Sequence, residues 1–222
     1  MKAKNLANEI VARVRSLARR DTATVRALRR EYSKRIAPLE PLAVLELANT
    51  LLGQTEFLFH FIALEFVHYH RPTLNCLRAT HLKQLGRRLD SWYATDTFAP
   101  LLSGPAWREG QISDSVIHGW AKSKDRWWRR AALVSTIGLN NKARGGRGDT
   151  PRTLAVCTLL VDDRDDMVVK AMSWALRELA KRDPKAVRKF ITEHQYELAA
   201  RVIRETNNKL KTGLKNPKKR TP

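Results

Sequence analysis

The stretch VKAMSWALRELAKRDPKAV, residues 169–187, decides the fold class of this chain. Its apolar residues recur every three or four positions, which predicts an amphipathic helix over Met167 to Lys181. Asp183 and Pro184 follow as an N-cap and a first-turn proline, and they predict a second helix from Ala186 to Thr192. Four aspartates lie between residues 162 and 166, where they suit the dipole of the first helix. The stretch therefore predicts a helix, a tight turn and another helix.

The same periodicity extends over most of the chain, while strand signals are almost absent. No alternating Val/Ile/Thr run is bounded by Asn-Gly or Asp-Gly turns. Phe57 to Tyr69 is apolar nearly all round, which is typical of a central helix packed on both sides. The insert NNKARGGRGDT, residues 140–150, is the clearest loop. We therefore expect an all-α protein.

The sequence predicts the helices themselves more definitely than it predicts how they are arranged. A dozen or so short helices with short turns fit either a bundle or a solenoid of stacked helix pairs, and no strict repeat separates the two. The 222 residues, 43% of them hydrophobic, are enough for one well-packed core. We expect a single helical domain over residues 1–208 and a basic, disordered tail over residues 209–222.

The charge of the chain indicates its kind of partner. The sequence has 42 Lys and Arg against 22 Asp and Glu, a formal net charge of +20, which favours polyanions. Nucleic acid is the first candidate and an anionic membrane surface the second. The most apolar stretch, Phe57 to Val67, is interrupted by His60 and Glu65, so no membrane-spanning segment is predicted.

The cysteines and histidines indicate neither a disulfide nor a metal site. Cys76 and Cys157 lie far apart without metal-ligand spacing, which is typical of thiols in a reducing cytoplasm. The histidines of the Phe57 to Tyr69 region have no cysteine or acid that completes a ligand set. We expect a cytoplasmic monomer without a metal or a small-molecule cofactor.

Two blocks of the sequence resemble a known family. WAKSKDRWWRRAAL, residues 120–133, and the stretch at 169–187 are similar to the AlkD-like DNA alkylation repair enzymes, which are HEAT-like alkylpurine DNA glycosylases. The second block is the more specific, with a lysine four residues before a tryptophan, then W-x-L-R-E-x-A-K and Pro-x-x-Val. The similarity extends from about Phe59 to about Arg204. It implies a HEAT-like solenoid of stacked antiparallel helix pairs that binds duplex DNA.

The resemblance also implies roles for individual residues. Trp92 stands four residues before Asp96, the spacing of the family's active-site motif, although the acidic residue that usually follows the tryptophan is here Tyr93. Asp96 is then the catalytic carboxylate, and Trp92 and Trp174 contact the lesion. The phosphate contacts implied near it are Arg129, Arg130 and Lys170.

These residue types suit the excision of a cationic N3- or N7-alkylated purine. Such a base is a good leaving group without an acid, so one carboxylate that stabilises the oxocarbenium-like sugar and positions water is sufficient. Indole faces attract the cationic base. Asp96 as a helix cap and the tryptophans as core residues are the structural alternatives. The functional alternatives are a DNA-binding HEAT-repeat relative without base-excision activity and a scaffold that binds RNA or an acidic protein.

We predict that binding to duplex DNA is largely independent of sequence and weakens steeply with salt, because phosphate contacts release condensed counterions. Removal of residues 209–222 is expected to lower the nonspecific affinity modestly and leave the domain folded. A salt titration of duplex affinity for the two proteins tests this. Salt-independent binding, or a preference for an acidic protein over duplex, would contradict it.

Overall fold

The computed structural model describes residues 3–217, and this range is helical, without a strand. The predicted all-α fold is confirmed. The chain divides into two compact units, residues 1–112 and residues 113–222. No helix in the described range is long and apolar enough to cross a membrane.

The first unit is made of helices α1 to α8. A π-helix, Ala99–Ser103, continues directly from α7. The bounds of the helices are α1 Ala3–Arg15, α2 Thr22–Ile36, α3 Pro41–Leu52, α4 Phe57–Tyr69, α5 Arg71–Asn75, α6 Ala79–Leu85, α7 Trp92–Phe98 and α8 Gly104–Arg108.

Helix α4 is the core of the first unit, as its all-round apolar sequence predicts. It packs against α2, α3, α5 and α7, and Phe59, Ile62 and Phe66 are fully buried. Its one acid, Glu65, is only 2% exposed. Arg26 and Arg29 of α2 both donate to this carboxylate, at 2.9 and 3.1 Å. A buried carboxylate is tolerable only when it is paired and hydrogen-bonded in this way.

The second unit is made of helices α9 to α14. Their bounds are α9 Asp114–Ala121, α10 Arg126–Asn140, α11 Thr150–Leu159, α12 Asp166–Leu179, α13 Pro184–Glu193 and α14 Ala200–Thr212. Aspartates begin four of them, because the side chains of Asp125, Asp149, Asp165 and Asp183 each accept a hydrogen bond from a first-turn amide. The predicted cap at Asp183 is confirmed.

Helices α10 and α12 lie side by side and run in the same direction. At their first turns Arg126 lies 3.4 Å from Asp165, and at their last turns Asn141 donates to Glu178 at 3.0 Å. Helix α11 connects the end of α10 to the start of α12, so it runs antiparallel to both.

Helix α14 packs on the other side of α12, where Arg201 reaches Asp166 at 2.8 Å and Ser173 donates to Glu205 at 2.6 Å. Each later residue of α14 thus meets a later residue of α12, and these helices too are parallel. Stacking of alternate helices with an antiparallel helix between them is the arrangement of helical-repeat solenoids. The predicted fold class is confirmed.

The predicted loop after α10 is ordered by its glycines. A short 3₁₀ turn, Lys142–Arg144, is followed by Gly145 with a φ of 81°, in the left-handed region. Gly146 packs directly on the end of α10, and its amide donates to the carbonyl of Asn141 at 2.8 Å. The side chain of Arg182 donates to the carbonyls of Asn140 and Gly146, which ties the loop to the end of α12.

The last helix, α14, crosses the expected boundary between the domain and its tail. It ends at Thr212, beyond the expected end of the domain at residue 208, and the side chain of Asn208 donates to the carbonyl of Lys215 at 3.1 Å. Residues 218–222 of the predicted basic tail lie outside the described residues.

We predict that Gly146→Ala lowers the free energy of unfolding by about 1–3 kcal/mol, because overpacked sites cost this much. A Cβ at this position would lie 2.7–2.8 Å from backbone atoms of Asn140 and Asn141. Gly119→Ala is the matched control, since a Cβ there meets no atom within 4 Å and replaces a glycine inside α9. The control is expected to gain about 0.5–1 kcal/mol. Thermal melts of both variants decide it, and equal melting temperatures would contradict the prediction.

Candidate functional site

Trp92 and Asp96 lie on the same short helix of the first unit. Trp92 is the first residue of α7 and Asp96 the fifth, so they are one turn apart on one face, as their spacing predicts. The N-cap of α7 is Ser91, with an extended backbone, and not Asp96. The interpretation of Asp96 as a helix cap is therefore wrong. Asp96 is half-buried, whereas the Trp92 side chain is 56% exposed.

The exposure of Trp92 is unusual, because most tryptophans are largely buried. Its neighbour Tyr93 is 39% exposed and lies against it, with ring centroids 5.7 Å apart. The interpretation of Trp92 as a core residue is thus wrong. An exposed aromatic surface on a strongly charged protein is typical of a binding site.

The backbone departs from a regular α-helix at the end of α7, three residues after Asp96. The hydroxyls of Thr95 and Thr97 donate to the carbonyls one turn earlier, and the π-helix Ala99–Ser103 follows. The amide of Gly104 donates to the carbonyl of Ala99, which closes the wide turn. Single π turns of this kind are frequent at functional sites.

The other four predicted site residues lie in the second unit, three of them in the first two turns of α10 or α12 and Trp174 in the middle of α12. Arg129 and Arg130 are on α10, and Lys170 and Trp174 are on α12, one turn apart. The structure thus brings these four together within the second unit and places Trp92 and Asp96 in the first.

The two arginines are engaged by the protein itself. Arg129 donates to Asp163 at 2.7 Å and to the carbonyls of Ser123 and Lys124. Arg130 is only 5% exposed, and it donates to the carbonyl of Met167 in the first turn of α12. Both side chains therefore hold α10 against α12. Their direct contact with a phosphate stays a prediction.

Lys170 is the accessible cation among the predicted residues. Its ammonium lies 2.6 Å from Asp166, which also accepts from Arg201 of α14 at 2.8 Å. The hydrogen bond from Lys170 holds the pKa of Asp166 below its usual value, and the charges of Arg201 and Arg130 act in the same direction. Because an ammonium has three donors, the bond to Asp166 leaves Lys170 able to donate to a phosphate oxygen. Trp174, one turn on, is half-buried.

Two cations that the sequence did not single out adjoin these residues. Arg126 lies over the Trp127 ring with its guanidinium carbon 5.2 Å from the centroid, and its side chain is 54% exposed. Arg201 lies near Lys170, because both side chains bond to the carboxylate of Asp166. The run of aspartates at residues 162–166 was the available signal for these two arginines, because acids can form ion pairs with arginines of neighbouring helices.

The histidines of the first unit have separate surroundings. His68 hydrogen-bonds the carbonyl of Leu101, and His70 the hydroxyl of Thr73. Burial lowers the pKa of His60 to about 4, so this imidazole is neutral at physiological pH. Within residues 3–217 no three His, Cys, Asp or Glu side chains are grouped as a metal site.

Stacked helices, a large positive charge and exposed aromatic and lysine side chains define a helical-repeat protein suited to nucleic acid. A family model described as DNA alkylation repair enzyme matches residues 17–210, and the chain belongs to that family. The match begins well before Phe59, where the similarity found in the sequence starts. No curated protein matches the chain. The family places this AlkD-like protein in DNA repair and implies an interaction with DNA.

We predict that Arg130→Met lowers the free energy of unfolding by about 1.5–3 kcal/mol, because the carbonyl of Met167 loses a charged donor. Lys170→Met is the matched control, with an expected change within about 0.5 kcal/mol, since its ion pair is exposed. Denaturant unfolding of the two variants measures the difference. An Arg130 variant as stable as the wild type would show that this side chain does not hold the two helices.

Proposed function

We propose that the protein is a DNA glycosylase that excises cationic N3- or N7-alkylated purines from duplex DNA. The observation that carries the proposal is the pair on α7, an exposed Trp92 one turn before the half-buried carboxylate of Asp96. Membership of a DNA alkylation repair family supports an enzymatic role in repair.

The chemistry needs little from the protein. When the bond between the purine nitrogen and the sugar breaks, the bonding electrons pass to the base and neutralise its positive charge. The sugar becomes an oxocarbenium-like cation, which water attacks, and the water then loses a proton. Asp96 stabilises the cation and orients the water. The half-burial of Asp96 favours this, because electrostatic stabilisation is stronger away from bulk water.

The tryptophans account for selectivity toward charged lesions. An indole face attracts a cation by about 0.5–2 kcal/mol, depending on how far the pair is desolvated. Trp92 in the first unit and Trp174 in the second are both accessible to some degree, and we assign lesion contact to both. Uncharged lesions lack both this attraction and the built-in leaving group, so the enzyme is expected to act on them poorly.

The second unit supplies much of the attraction for the DNA backbone. We assign direct phosphate contact to Lys170, whose side chain is 42% exposed. Arg129 and Arg130 complete the proposed DNA-binding set, and their contacts with Asp163 and Met167 suit positioning of the Lys170 helix. Phosphate contacts fix the position of the duplex without reading its sequence, as a lesion enzyme requires.

Tyr93 favours the second candidate function, a DNA-binding relative without base-excision activity. It occupies the position where the resembled family usually has an acidic residue, next to the proposed site. Measured base release from alkylated duplex separates the two candidates, because the relative would bind the duplex and release nothing.

We predict that Asp96→Asn lowers the rate of base release from N7-methylguanine duplex by on the order of a hundredfold or more, because one preorganised electrostatic stabiliser is lost. Duplex affinity is expected to stay the same or rise slightly, since a negative charge is removed. Single-turnover release and duplex binding are the measurements.

Asp90→Asn is the matched control, because it removes the same charge from an exposed position just before α7. It should release the base at nearly the wild-type rate. Absence of release by the wild type would favour the non-catalytic relative, and unchanged release by Asp96→Asn would assign the chemistry to another residue.

A further inference from the structure

Three exposed aromatic side chains form a continuous strip on the first unit. Phe57, Trp92 and Tyr93 are 36%, 56% and 39% exposed. The Tyr93 ring lies 4.2 Å from that of Phe57 and 5.7 Å from that of Trp92, in both cases edge to face. The aromatic strip, as we call these three residues, thus adds two rings to the Trp92 ring of the proposed site.

The aromatic strip is formed by residues of two helices, and a buried ring lies next to Phe57. Phe57 is the first residue of α4 and Tyr93 the second of α7, two helices that pack against each other. Phe61, one turn after Phe57, lies 6.3 Å from it and is only 8% exposed. A ring held on both sides loses little entropy when a ligand stacks on it, because it is already ordered.

Two arginines are bonded to the turn that precedes Phe57. Arg15 pairs with Glu56 at 3.2 Å, next to Phe57, and its side chain remains 49% exposed. Arg88 donates to the carbonyls of Leu52 and Gln54 in the same turn. Cations beside flat, exposed rings are the arrangement with which proteins hold single-stranded nucleic acid, since the cations follow the backbone and the rings stack on bases.

We infer that Phe57 and Tyr93 form a stacking platform for an unpaired nucleobase. The inference rests on the proposed function in one respect, that DNA reaches the surface around Trp92. In a fully paired duplex the base faces are covered by their neighbours, so the platform gains a partner only where a nucleotide is unpaired. The protein therefore prefers duplexes with an unpaired nucleotide, whether or not they carry a lesion.

The test is binding to undamaged DNA. A short duplex with one bulged 2-aminopurine is compared with the fully paired duplex of the same sequence, by anisotropy for affinity and by 2-aminopurine fluorescence for stacking. The wild type is expected to bind the bulged duplex more tightly and to quench its fluorescence. Phe57→Leu and Tyr93→Leu should each reduce this preference by about tenfold, the usual size of one base stack.

Three further variants keep the result interpretable. Tyr93→Phe retains the ring and should retain the preference, while Tyr93→Glu should remove it. Tyr196→Leu is the matched control, because Tyr196 is a 90% exposed aromatic of the second unit outside the strip. Thermal melts verify that Phe57→Leu and Tyr93→Leu are folded.

The inference is overturned if the leucine variants bind both duplexes as the wild type does, or lose affinity for both equally, as a protein-binding surface or a merely structural contact would predict. Because the DNA carries no lesion, this result is independent of base release. If the wild type releases no base, the glycosylase proposal fails and the stacking platform is unaffected. If the bulge test fails, the platform is refuted and the glycosylase proposal is unaffected.

Discussion

The fixed register between α10 and α12 is the constraint on which the second unit depends. Neither helix can bury its apolar side alone, and three arginines of α10 fasten the start of one to the start of the other through Asp163, Asp165 and the carbonyl of Met167. Because two of these three arginines are largely buried, they are satisfied only in the one register that brings these partners to them. The position of Lys170 and Trp174 follows from it, since both lie within the first three turns of α12.

In the first unit a different constraint has the same effect. Helix α4 is buried over most of its length, so the other helices cover it, and α7 is one of them. Buried Phe98 and the π turn that follows fix the end of α7. Trp92 and Tyr93, at its beginning, are exposed. Exposed rings at the start of a helix whose end is fixed favour a binding surface.

Sequence reasoning predicted what depends on neighbours along the chain. The helical periodicity, the cap at Asp183 and the common helix of Trp92 and Asp96 all follow from spacing, and all are present. The bonds of Arg129 with Asp163 and of Arg130 with Met167 could not be predicted, because each joins residues more than thirty positions apart whose register depends on packing. The contact of Phe57 with Tyr93 has the same origin. By sequence, arginines next to tryptophans suggest contacts with phosphate. In the structure, Arg129 already donates to Asp163.

The hydrogen bonds between alternate helices join residues that are separated by similar lengths of chain, and this has a consequence for folding. Arg26 and Glu65 are 39 residues apart, as are Arg126 and Asp165, and Asn141 and Glu178 are 37 apart. The links between α12 and α14 close slightly shorter segments, since Asp166 and Arg201 are 35 residues apart and Ser173 and Glu205 are 32 apart. Because each such link closes a chain segment of similar, moderate length, no step bears a large loop-closure cost. Within each unit, folding can begin at any neighbouring pair of helices and spread to the helices that pack on that pair.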